Sequence, residues 1–160
     1  MSPVREFGTT TAAESVPQRL RLCPRVSASI RAAAVSGADQ ERGGMIAGQR
    51  SGTVWTIVRF VQLTNTAEDQ RRHFCFDAVE FARAVGHCER DGLAFLGFVH
   101  SHPNGPPTPS ETDRAEAWRG CVHGIVATDE GAPTAVAFYS RADDNMEPLP
   151  SSIDEMEFSA

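Results

Sequence analysis

The stretch AFLGFVHSHPNGPPTPSETD, residues 94–113, decides how this chain is read. Its first six residues, Ala94–Val99, are apolar on both alternations, as expected of a strand covered on both faces. The run meets His100-Ser101-His102-Pro103 without a break. While the backbone stays extended, positions i and i+2 project to the same side. Two imidazoles about 6–7 Å apart along the chain, at ~3.3 Å per residue, can then converge on one ion. Pro103, Pro106, Pro107 and Pro109 stiffen the following loop, which lowers the entropy lost in bringing the chain back. Ser110 reads as a helix start, running to about Trp118, and places Asp113 on the first turn. His100, His102 and Asp113 make three protein ligands and leave a fourth position open, the mark of a catalytic rather than a structural zinc site. Each piece alone has a plainer reading. An isolated H-x-H is commonly two ordinary histidines, S-x-x-D is close to a capping box, and four prolines say only "loop". Their coincidence carries the metal reading.

Outward from this stretch, strand-like and helix-like segments alternate. Arg19–Cys23 alternates polar and apolar residues as a first strand, and Pro24 opens an Ala-rich helix to about Val35, closed by Ser36-Gly37. Gly44–Gln49 and Thr53–Leu63 read as an antiparallel hairpin. A polar loop, 65–72, precedes a short strand at His73–Phe76. Asp77 caps a helix to about Arg90 in which Phe81, Val79, Ala82 and Val85 form a core-facing stripe. Val122–Thr128 and Thr134–Tyr139 are the last two strands. The sum is an α/β (α+β) domain, a mixed or antiparallel sheet of about six strands flanked by two to three helices. Residues 1–19 read as a flexible arm, 20–141 as the single folded domain, and 142–160 as an acidic tail in which Pro148 and Pro150 oppose a long helix.

Charge is unevenly placed. The chain carries net −6, and six of its 21 acidic residues lie in 142–160, which leaves 15 acids against 15 arginines over residues 1–141. A neutral body gives no footprint for counterion-release binding, so no nucleic-acid partner is expected. All 15 basic residues are Arg. Cys23, Cys75, Cys88 and Cys121 stand far apart with no C-x-x-C, which fits neither a zinc ribbon nor a redox pair. The opening residues lack the apolar core of a signal peptide, and the longest apolar run is far too short to cross a bilayer. These features predict a cytoplasmic protein with reduced thiols and no membrane contact.

A further carboxylate completes the pattern. Glu41 opens Glu41-Arg42-Gly43-Gly44-Met45-Ile46-Ala47-Gly48, just before a strand whose glycines permit close approach of another backbone or a ligand. The combination of E-x-x-G-x-[I/L]-x-G with H-S-H-P-x6-S-x-x-D closely resembles the JAMM (MPN-plus) metalloprotease family, over roughly residues 20–140. The resemblance implies an MPN/JAB-like domain with one zinc ion held by His100, His102 and Asp113. It further implies Glu41 as the general base that works the metal's water, and Ser110 as a donor to the oxyanion of the tetrahedral intermediate. His73, His87 and His123 are not placed by the motif and read as structural or surface histidines. Trp55 and Trp118 read as core.

The loops at 64–73 and 129–133 leave little room for the insertions with which eukaryotic members grip two ubiquitin units. The chain looks more like small prokaryotic members, which process ubiquitin-like sulfur-carrier proteins after their C-terminal Gly-Gly. A Gly-Gly tail has no side chains and can lie extended beside a sheet edge. Three other readings compete: a non-catalytic MPN scaffold, which would lack bound zinc; a RadC-like protein of DNA metabolism, to whose H-x-H-P-x-G-x-P-T-P-S-x-x-D segment residues 100–113 are similar; and a non-haem iron site of the 2-His-1-carboxylate type.

Overall fold

The computed structural model describes residues 15–35 and 39–153. Most of the expected N-terminal arm, the Ser36-Gly37 helix stop and the last seven residues therefore lie outside the described residues. The elements in chain order are β1 (Arg19–Leu22), α1 (Pro24–Val35), β2 (Gly43–Ser51), β3 (Val54–Leu63), α2 (Ala78–Arg90), β4 (Ala94–Pro103), α3 (Glu111–Glu116), β5 (Cys121–Asp129), β6 (Ala132–Arg141), β7 (Glu147–Leu149) and β8 (Ser151–Ile153). They form one sheet in the order β7-β6-β5-β4-β2-β3-β1-β8. β4 runs parallel to β5, and β1 parallel to both β3 and β8, while the remaining pairs are antiparallel. The sheet is thus mixed and the class α+β, as the sequence implies, but it has eight strands rather than six.

The two additional strands come from the acidic stretch expected to be a tail. Glu147–Leu149 pairs with β6 and Ser151–Ile153 with β1. Met146 and Leu149 are buried, which anchors the segment. Three-residue strands are too short for alternation to register. Pro148 is tolerated because β7 is terminal in the sheet, and the Pro150 carbonyl accepts from the Leu20 amide at 2.9 Å.

This pairing has a topological consequence. β7 and β8 stand at opposite ends of the strand order yet are separated by one residue, Pro150. The sheet must curl until its ends meet. It curls around α1, whose Val26, Ile30 and Ala34 enter an inner core with Leu20, Ile46, Ile57, Leu96, Val99, Val122 and Leu149. On the outer face α2 covers β2, β3 and β4 and builds a second core of Met45, Leu63, Phe81, Ala84, Cys88, Leu93 and Phe98.

Two local expectations are corrected. His73–Phe76 forms no strand. The segment is held by Asn65, whose side-chain amide donates to the His73 carbonyl at 2.9 Å and accepts from the Cys75 amide at 3.2 Å. In α2, Asp77 caps the helix as expected, accepting from the Val79 and Glu80 amides. The buried face, however, is Phe81, Ala84 and Cys88, and Val79 is 59% exposed. The i, i+3, i+7 row through Cys88 outweighs the one through Ala82 because it carries the larger ring onto the Phe95–Phe98 surface.

Candidate metal centre

β4 carries His100 and His102 at its carboxyl end, and the β4–α3–β5 connection is a parallel crossover that returns over that end. Its turn through α3 brings in Asp113. The Nε2 atoms of His100 and His102 stand 3.1 Å apart. His100 Nε2 lies 3.1 Å from Asp113 Oδ1, and His102 Nε2 lies 3.0 Å from Asp113 Oδ2. Three electron-pair donors thus meet at hydrogen-bond distance. His102 has its Nδ1 3.0 Å from the Pro106 carbonyl, a bond that orients the ring and, when the ring is neutral, keeps its proton on Nδ1 and turns the Nε2 lone pair toward the others. A proton on Nε2 or a metal ion between the groups can each satisfy that lone pair and the carboxylate together. Donors on a tetrahedron around zinc at about 2.0–2.1 Å stand about 3.3–3.4 Å apart, a few tenths of an ångström wider than found here. The donor set fits a single small divalent ion.

Asp113 and Glu41 are rivals for the third position. Glu41 is buried and, with the two histidines, forms a group whose ligand atoms all lie within 4.8 Å of one another. Its Oε1 is 3.9 Å from His102 Nε2. Asp113 is nearer to His102, at 3.0 Å against 3.9 Å for Glu41, and spans both rings with its two oxygens, so either carboxylate could complete the set with the two histidines.

The electrostatics follow. Burial alone would raise the Asp113 carboxyl, but hydrogen bonds from His100 and His102 and the Ser110 amide hold it well below the usual carboxylate range. Burial pushes Glu41 up, against the opposing pull of His100 and His102 and with help from Asp113. His102 is depressed by burial but raised on balance by its bonds to Asp113 and Pro106. A buried carboxylate with a raised pKa is a better base than one in water.

Local structure positions each group. Ser110 and Asp113 form a reciprocal capping box: the Ser110 Oγ accepts from the Asp113 amide at 3.1 Å, and the Ser110 amide donates to Asp113 Oδ2 at 2.9 Å. Ser110 therefore aims the carboxylate, and its hydroxyl keeps a proton to give. Glu41 is placed by two residues that sequence reasoning did not single out. Ser101, 1% exposed, accepts from the Arg42 amide at 2.9 Å, and its own amide donates to the Arg42 carbonyl at 2.7 Å. Asn65 donates to the Glu41 carbonyl at 2.8 Å. The Thr64-Asn65-Thr66-Ala67 turn was the available signal for Asn65, whose Oδ1 accepts from the Ala67 amide two residues on. Gly43 lies so close to β4 that a Cβ there would overlap the Val99 carbonyl, as the reading of these glycines as close-approach positions requires.

The unassigned histidines separate. His87 is exposed on α2. His73 is half-buried beside Glu41. His123 is buried, donates to the Trp118 carbonyl at 3.1 Å, and is pushed by burial down to about 4. Trp55 is 2% exposed in the inner core. Trp118 packs edge-on against Phe81 and Phe98. None of the four cysteines is in a disulfide, and no helix among the described residues is long and apolar enough to cross a membrane.

Comparison with known proteins follows the same line. The family model described as prokaryotic homologs of the JAB domain matches residues 24–140. A Thermus thermophilus protein described as a probable TtuB-protein conjugate cleaving protease is 34% identical over 90 residues, covering 56% of this chain and 57% of the relative. A Haloferax volcanii desampylase is 32% identical over 93 residues, 58% of this chain and 65% of the relative. The matched stretch therefore spans less than two thirds of either relative. Among solved structures, a protein from Desulfitobacterium hafniense aligns with TM-score 0.73 and 24% identity over 86% of this chain and 94% of the other. One from Salinibacter ruber aligns with TM-score 0.65 and 23% identity over 88% and 95%. At that identity these two show the fold alone.

Proposed function

Because the chain belongs to the family of prokaryotic homologs of the JAB domain, we propose that it is a zinc-dependent isopeptidase acting on conjugates of a ubiquitin-like protein. The observation that carries this reading is the meeting of His100, His102 and Asp113 at 3.0–3.1 Å with Glu41 just outside them. The names of the two curated relatives support the substrate class.

Bound at the three ligands, zinc would supply Lewis acidity and bring the pKa of a water toward neutrality. The remaining work falls to the chain. Glu41, raised by burial, takes the proton of the attacking water and returns it to the leaving amine, a transfer typically worth about 10²–10⁴ in rate. The Ser110 hydroxyl donates a hydrogen bond to the developing oxyanion. The Pro106 carbonyl holds the His102 ring, and Ser101 with Asn65 fixes the backbone on which Glu41 turns.

The substrate we favour is the bond after the C-terminal Gly-Gly of a ubiquitin-like sulfur carrier, in the cytoplasm. β4 runs on to Pro103, two residues beyond Ser101, whose amide is given to the Arg42 carbonyl, and we place the extended tail without side chains beside the metal ligands at this end of the strand. Mass spectrometry of a carrier protein extended past Gly-Gly, incubated with wild type and Glu41→Gln, tests the reading. Glu41→Gln is expected to retain zinc and lose at least about a hundredfold in cleavage, and His100→Ala to lose the metal. Equal cleavage by wild type and Glu41→Gln would remove the proposed base, and with it the mechanism.

A further inference from the structure

Beside the metal centre lies a recess that shares Glu41, His100 and Asp113 with it; Phe74, Phe76, Phe98 and Trp118 form its aromatic wall, and the charged Arg72 and Glu116 also line it. His102 and Ser110 take no part in this lining. The recess is therefore on one side of the centre, the side of Glu41. Its aromatic surface is built: Phe76 stacks on Phe98 at 5.0 Å, and Trp118 meets Phe98 edge-on at 5.0 Å. His123, also in the lining, has a ring N–H already given to the Trp118 carbonyl.

Resting on the hydrolytic reading above, we propose that this recess is the leaving-group subsite and that it takes the unbranched alkyl stem of a lysine acylated on its ε-nitrogen. Cleavage breaks the C–N bond and adds water across it, and the proton taken by Glu41 must reach the departing nitrogen. That nitrogen consequently sits within a hydrogen bond of Glu41, and whatever is attached to it begins at the mouth of the recess. The acyl tail leaves on the other side, past His102. A lysine stem presents four methylenes to the aromatic rings while keeping its polar ends outside, the way long side chains cover apolar surface. A leaving glycine presents none. Each methylene removed from water is worth roughly a fourfold change in binding.

Two peptides with the same acyl segment ending in Gly-Gly test this, one joined to the ε-nitrogen of a lysine within a peptide and one to the α-nitrogen of a glycine. The zinc-loaded wild type should favour the lysine-linked substrate by about tenfold or more in kcat/KM. Ala117, also at the recess, supplies the variant: Ala117→Phe fills the space and should bring the ratio of the two rates toward one, with a thermal melt to show that the variant is folded. Binding gives a second readout without turnover. Titrating Glu41→Gln with the lysine-linked peptide should shift tryptophan emission, and because Trp55 is 2% exposed in the inner core, the change reports Trp118. Equal rates on the two substrates, a ratio that Ala117→Phe leaves untouched, or unaltered emission at saturating peptide would each overturn the subsite. Failure of wild type to cleave either peptide, with the emission shift present, would instead count against the hydrolytic reading.

Discussion

Ser110 has two tasks that substitution can separate. Its Oγ caps α3 and its amide aims Asp113, so Ser110→Ala should cost about 1 kcal/mol of stability. Loosening a ligand's hydrogen-bonded support should also weaken zinc binding by about 10–100-fold, read by chelator competition. If the hydroxyl donates to the oxyanion as well, kcat at saturating zinc should still fall by about 10²–10³; full recovery would leave Ser110 as a cap only. His123 gives a pH signature. Buried and neutral, it is pushed down to about 4, while in the unfolded chain it titrates near 6.5. Above 6.5 both states are neutral and nothing is at stake. As pH falls the unfolded chain takes its proton first, so stability is lost between about 6.5 and 4, by about 3 kcal/mol at most. His123→Gln should flatten that part of the denaturation-midpoint profile, and an unchanged profile would contradict the assignment. At this scale the sequence was legible where spacing is local: His100, His102, Ser110 and Asp113 fall within fourteen residues. Glu41 stood out only through the family pattern, and the task of Ser101 within the H-S-H-P motif could not be read, because the amide its hydroxyl accepts from is 59 positions away.

The strands that frame the centre depend on a close backbone approach. A Cβ on Gly43 would overlap the Val99 carbonyl and come within 2.9 Å of the His100 Cα, and backbone cannot swing aside as a side-chain tip can. Gly43→Ala should therefore cost about 1–3 kcal/mol through overpacking and, by pushing β4 away, lower the zinc retained per chain. Differential scanning calorimetry with metal analysis checks both, and a variant with wild-type melting and full metal would show that the contact is not needed. Among the elements, the β2–β3 hairpin and α2 were readable because β-branched runs, a turn and an Asp cap are strong local signals. β7 and β8 were not, since three residues carry no period and their acidic neighbours mask a single buried Leu149. His73–Phe76 misled in the opposite direction: its aromatics serve the recess and the Asn65 turn, and alternation alone cannot tell such a segment from a strand.

For the whole molecule, mixed α+β architecture could be inferred from the alternation of segments, but closure could not, because it rests on pairings between residues more than a hundred positions apart, such as Leu20 with Ser151. Closure leaves β7 and β8 as short terminal strands, with little free edge for another chain to pair with. Deleting residues 147–160 should bare the outer edges of β6 and β1 together and release Leu149 from the core. Burial of one such side chain is worth about 1.5–3 kcal/mol, so the melting temperature should drop by about 5–10 °C, with self-association visible by light scattering. A truncated protein that melts like wild type and stays monodisperse would mean that the last strands hold nothing together.

Pro150 can be likened to the pin of a bracelet, with both rims hooked to it. β4 has three strands on one side and four on the other, so the histidines ride on the part of the band farthest from the pin. Fraying that starts at the pin must undo at least three rows of backbone bonds before it disturbs them.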